Sequence, residues 1–220
     1  MRAALTALPV ALAFALVRPL VAAPDMAPVK AWIDHSRTVK SVAVEFTQER
    51  WLRTVRKPLV TPGRFWFRAP GAIRWQVGEP AKMIAVQKAP GADLLVLEPR
   101  EKVARVFTPD DLKEKGGAFA FVEASFPDTL EAFEAKFDVA SVEQADGQTV
   151  VTGQLKDRRM AVAVLKIVFR IDAASRTLRG LEIWFRDGSK IVNQFTKVTP
   201  DAALEAGLFD AALDGYRVEK

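Results

Sequence analysis

The chain has 220 residues, 50% of them hydrophobic and 27% charged, with 32 lysines and arginines against 27 acids. That is enough for one domain with a sizeable core, and an ordinary globular composition rather than a disordered one. Cysteine is absent, which excludes disulfides, a thiol nucleophile, thiolate metal sites and a lipid-anchoring cysteine behind a leader.

Arg2 precedes an apolar run from Ala3 to Val17, and Val21-Ala22-Ala23 makes a small-residue end. A basic start, a short apolar middle and a cleavable tail are the parts of a secretory signal peptide. The run is short for a membrane span, and Arg18-Pro19 interrupts it. We therefore expect a signal peptide over residues 1–23, although Pro24 sits awkwardly after such a cut, and a single domain over 24–220. Its removal takes away Arg2 and Arg18 and no acid, leaving 30 basic against 27 acidic residues. The cations are spread among acids, apart from Arg158-Arg159 and the segment Arg50–Lys57. These are either solvated strand edges or weak attractors of anionic headgroups or an acidic partner.

Pro28 to Val39 places Val29, Trp32, Ile33 and Val39 on one stripe, which predicts an amphipathic helix. Strands follow near 41–55, 63–68, 72–78, 82–88, 93–98 and 102–107. In the first three, Val44 and Phe46, then Phe65 and Phe67, then Ile73, Trp75 and Val77 alternate with residues that point the other way, such as Glu45, Arg64, Trp66, Arg68 and Arg74. Separators such as Pro70-Gly71, Glu79-Pro80 and Pro90-Gly91 are turn chemistry, and connections this short force antiparallel neighbours.

The pattern changes at Thr108-Pro109-Asp110-Asp111, a capped helix start. Gly116-Gly117, then Phe119, Phe121, Val122 and Phe126, then a second helix near 128–136, read either as a mobile flap or as a static cross-connection feeding the core. Further strands are expected near 137–144, 148–156, 161–172, 177–187 and 189–199, with hairpins at Asp146-Gly147 and Asp187-Gly188. Ala163, Leu165, Ile167, Phe169 and Ile171 share one face, as do Leu181, Ile183 and Phe185. Pro200 to Gly207 reads as a short terminal helix. The sum is a mainly β fold with helices (α+β), in which about eleven antiparallel strands curl into an open half-barrel with helices covering the concave face.

Little of this looks catalytic. His35 is the sole histidine, and a triad or histidine metal site needs partners. Phosphate loops, dinucleotide fingerprints and nucleophile elbows are absent from the sequence. No cofactor, metal or nucleic-acid partner is expected.

Phe46-Thr47-Gln48, Gly63-x-Phe65-Trp66-x-x-x-Pro70 and Arg74-Trp75, in that order and spacing, resemble the LolA family of periplasmic lipoprotein carriers. The likeness extends more loosely to Gly207-Leu208-Phe209 and Asp214-Gly215-Tyr216-Arg217-Val218. The resemblance implies the half-barrel, a periplasmic location, a lipid cargo, an inner-membrane release complex and an outer-membrane acceptor. The family has an arginine before the proline that closes the second strand; Ala69 holds that position here, with Arg68 one residue earlier. A lid tether made by that arginine is therefore in question.

Five tryptophans and fourteen phenylalanines stand against one tyrosine, a bias that suits a cavity for acyl chains and equally an ordinary sandwich core. On the carrier reading the groove wall is Phe46, Phe65, Phe67, Ile73, Trp75, Leu165, Ile167, Phe169, Ile183 and Phe185, and the lid is Phe119, Phe121 and Phe126. Such a carrier would be a soluble monomer. The alternative is a non-carrier envelope sensing or interaction module whose groove is filled by its own side chains.

Overall fold

The computed structural model describes residues 23–115 and 127–219. Strands β1 (Ser41–Trp51), β2 (Leu59–Arg68), β3 (Ala72–Val77), β4 (Met83–Gln87), β5 (Leu94–Glu98) and β6 (Val103–Phe107) form one antiparallel meander. A second comprises β7 (Phe137–Ala145), β8 (Gln148–Leu155), β9 (Val164–Asp172), β10 (Leu178–Phe185) and β11 (Lys190–Pro200). β1 pairs with β11 from Val42↔Pro200 to Trp51↔Lys190 and so joins the two meanders into a single sheet. The sheet ends at β7 on one side and at β12 (Arg217–Glu219) on the other, and does not close. It is an open half-barrel of twelve strands. The twelfth, β12, was not expected from the sequence and runs parallel to β6.

Helices α1 (Ala27–Thr38) and α3 (Leu130–Lys136) lie over the concave face of the second meander. Trp32 of α1 meets Phe133 of α3 at 6.1 Å and Phe169 of β9 at 5.9 Å, and Phe133 stacks on Phe137 at 4.8 Å. Thr129 caps α3, its hydroxyl accepting from the Ala132 amide at 3.1 Å. Helix α2 (Pro109–Lys115) begins with Asp110 and Asp111 near its positive end.

Two sequence expectations are corrected here. The strand expected from residue 161 starts at Val164, because Asp157 caps a four-residue helix, α4 (Arg158–Ala161). The terminal helix at Pro200–Gly207 does not form. Asp201 adopts φ +49°, which a right-handed helix cannot contain, and its carboxylate instead accepts from the Lys40 amide. Residues 201–216 run in turns across the convex face of β2–β4. There Phe209 is buried with Ala72 and Val86, and Arg68 lies 4.7 Å over its ring. The Arg74 guanidinium donates to the Leu208 carbonyl, and burial lowers its pKa.

Candidate functional site

The period-2 pleat sends one residue in two to the concave side, and in β1, β2, β3 and β11 these include four aromatic rings that meet one another. Phe46 stacks on Trp75 at 4.4 Å, Phe65 lies 5.4 Å from Trp75, and Phe195 completes the set at 6.2 Å from Phe46 and 6.5 Å from Trp75. Gly63 makes this packing possible: a Cβ there would run into the Phe46 ring. On the other half, Trp32, Phe133, Phe137 and Phe169 form a second aromatic cluster. Polar pairs interrupt the apolar face: Gln48 donates to the buried Asn193 side chain at 3.0 Å, and Gln144 to the buried Thr149 hydroxyl at 2.9 Å.

Between the two clusters a cavity of about 270 Å³ opens at the end of the half-barrel. Trp32 lines one side and Phe195 the other, with Val42, Val44, Phe67, Leu178 and Val198 between them. The rim is polar, carrying His35 and Arg37 from the end of α1, Asp128, and Arg176 from the β9–β10 turn. Neither guanidinium makes an ion pair among the described residues. Ala69 also lines the cavity, while Arg68 turns to the convex side onto Phe209. Arg68 therefore does not stand in for the arginine absent at position 69.

Of the residues expected in the wall, Phe46, Phe65, Ile73, Trp75, Ile167, Phe169 and Ile183 are buried in the concave core, and Phe67 and Phe185 are half-buried against it. Only Phe67 among them reaches the cavity. Leu165 is corrected. It is 41% exposed, and Val164 takes the inward place. The ladder with β10 runs Trp184↔Lys166 and then Phe185↔Val164, so Leu165 is an extra residue that flips the alternation. The lid residues Phe119, Phe121 and Phe126 lie outside the described residues. Sequence reading missed Trp32, Val42, Leu178 and Val198 as lining. Their alternation was visible, but not their meeting at one end.

Among the described residues no three His, Asp or Glu side chains gather into a metal site, and no helix is long and apolar enough to cross a membrane. What the geometry defines is a binding fold: an apolar trough with a polar rim. A family model described as "Outer membrane lipoprotein carrier protein LolA" matches residues 37–212, and the chain belongs to the LolA family. No curated protein matches the sequence. Among solved structures, it is similar to a LolA-superfamily protein from Nitrosomonas europaea, with 11% identity and a TM-score of 0.42 over 82% of this chain and 96% of that one. It is similar to the lipoprotein LppX of Mycobacterium tuberculosis at 13% identity and a TM-score of 0.45, covering 82% of this chain and 96% of that one. The MucA/MucB complex of Pseudomonas aeruginosa aligns at 14% identity and a TM-score of 0.45, over 86% of this chain and 62% of that one.

Proposed function

We propose that this protein is exported by the signal peptide at residues 1–23 and works in the periplasm as a soluble carrier. It takes up acyl chains of a lipoprotein or another envelope lipid and passes them from an inner-membrane release complex towards an outer-membrane acceptor, without chemistry. The observation that carries this reading is the 270 Å³ cavity, whose apolar lining continues into the concave face. Burial of each methylene is worth about 0.8 kcal/mol, so a chain held along that lining is retained by contact area alone. Among the described residues every buried side-chain polar atom already has a partner, so an acyl chain leaves none unpaired, a fault that costs about 1–3 kcal/mol. Phe67 is the wall residue best placed to test this, because it lines the cavity and is only half-buried. Phe67→Asp should abolish uptake of a fluorescent fatty acid while the protein still unfolds cooperatively. Uptake equal to the parent protein would remove the cavity from the argument.

A second reading is supported by the Phe46, Phe65, Trp75 and Phe195 cluster. Each is less than 8% exposed, so side chains of the protein fill that part of the trough themselves. On this reading the fold is a sensing or interaction module. Native mass spectrometry of protein purified from its own periplasm separates the two, since a bound acylated species favours the carrier and a bare polypeptide mass with no fatty-acid uptake favours the module.

A further inference from the structure

The connection between β1 and β2 stands apart from the groove. β1 and β2 stay paired out to Arg50↔Leu59, whereas β3 follows β2 only to Gly63↔Val77. Leu59–Pro62 therefore run past β3 as a free edge of the sheet, backed by β1 and β11, and the loop at 52–58 projects beyond the last pair of that end, Trp51↔Lys190, the two together forming a tip. Among the described residues, seven large hydrophobic side chains are strongly exposed, and four of them sit on this tip: Leu52 (36%), Val55 (42%), Leu59 (53%) and Val60 (60%). Such clustering is not the scatter expected of a normal surface. Between them stand Arg50, Arg53, Arg56 and Lys57, all exposed, with no acid from residue 50 to residue 61. None of the four is ion-paired among the described residues. The neighbouring acids have partners of their own. Glu49 accepts from the Trp51 indole at 2.8 Å, and Asp187 accepts from the Ser189 amide and hydroxyl, although it also feels the charge of Arg53.

We propose that the β1–β2 tip docks the protein onto the surface of an anionic bilayer. Cations interleaved with apolar side chains are the pattern that seats a segment at a headgroup boundary, the charges drawing it down and the apolar groups entering the interface. Leu59 and Val60 are consecutive strand residues on the free edge of β2 and point to opposite faces of the sheet. One rigid protein face cannot cover both sides of this projecting edge and its loop, whereas a fluid interface surrounds them. Trp51, with Lys190 5.2 Å over its ring, ends β1 where the loop leaves the sheet. The cavity opens at the other end of the same strands, about 30 Å away along β1. Docking through the tip therefore recruits the molecule without burying the mouth of the groove.

The test is co-sedimentation of the mature full chain with phosphatidylglycerol–phosphatidylcholine vesicles and with phosphatidylcholine vesicles alone. The parent protein should bind the anionic vesicles at low salt, release in 0.5 M NaCl, and leave neutral vesicles unbound. Arg56→Ala with Lys57→Ala should lower partitioning about 30-fold, and Leu59→Ser with Val60→Ser should weaken it while leaving the melting temperature unchanged. Removing the exposed Lys156 and Arg158, away from the tip, should leave partitioning as it was. Fatty-acid uptake, measured on the same variants, should not change; this separates failure of the docking surface from failure of the groove. Absence of binding to anionic vesicles, or equal binding by tip and control variants, would overturn the proposal. Binding to polyglutamate as tight as to the vesicles would overturn it in favour of an acidic protein partner.

Discussion

Gly63 shows how one missing side chain shapes the trough. A methyl group at this position meets the Phe46 ring and the Gln76 carbonyl, so Gly63→Ala must displace Phe46 from its stack on Trp75. We expect a loss of about 1–3 kcal/mol in urea unfolding, the usual cost of overpacking. Asp172 is the corresponding case at the surface. It accepts from the Ser175 amide and hydroxyl and from the Ala174 amide, and these bonds, followed by the charge of Arg179, hold its carboxyl below the usual range. A depressed pKa contributes stability above the unfolded value of about 4, and that contribution is lost as the pH falls through the lower folded value. Asp172→Asn should therefore be less stable than the parent at neutral pH and lose less of its stability below pH 4, as read from melting temperatures across that range. Leu165 marks the limit of reading alternation from sequence. A single extra residue in a ladder reverses the assignments on one side of it, and it leaves no mark in the residues themselves.

Among the elements, long strands were legible because each buries one face, and their period-2 pattern records it. The segment 201–216 was not legible. Pro200–Gly207 reads as a short helix, yet Leu204, and beyond it Leu208 and Phe209, are held by the convex face of β2–β4, far away in the chain. β12 is three residues long and exists only through its pairing with β6, which local propensity cannot announce. The convex cluster gives a prediction of its own. Phe209→Ala should cost about 3 kcal/mol or more of folding stability but leave fatty-acid uptake intact, because it packs on the side away from the groove. A loss of uptake matching the loss of stability would mean that the two faces of the sheet are not independent.

For the whole molecule, the groove and the core are largely the same residues. Trp75 is 6% exposed among three other aromatic rings, so Trp75→Ala should cost about 3–5 kcal/mol in stability, a large share of the 5–15 kcal/mol that holds a domain together. That variant reports on folding as much as on ligand. Phe67 separates the two better. A chain bound in the cavity should also raise the melting temperature, since ligand at 100 times its Kd adds about 2.7 kcal/mol; differential scanning fluorimetry with a fatty-acid series reads this directly. The aromatic wealth of the site was plain in the composition. The cavity itself was not, because it is assembled from α1, the start of β1, the end of β2, the β9–β10 turn and the end of β11, and only the complete fold brings them together.

The pairing of β1 with β11 sets an order of events. Gln48 and Asn193, bonded across this seam, are 145 residues apart in the chain, while most other strand neighbours follow each other through short turns. Each meander can form from local contacts, but the central junction must wait for the slow search that distant pairing imposes. The first strand therefore spends the early part of folding with one edge bare, its aromatic side exposed to whatever is nearby. A chain whose trough is completed last is at its most vulnerable just before that step, when acyl chains would compete for its apolar face and a chaperone for its unpaired strand edge.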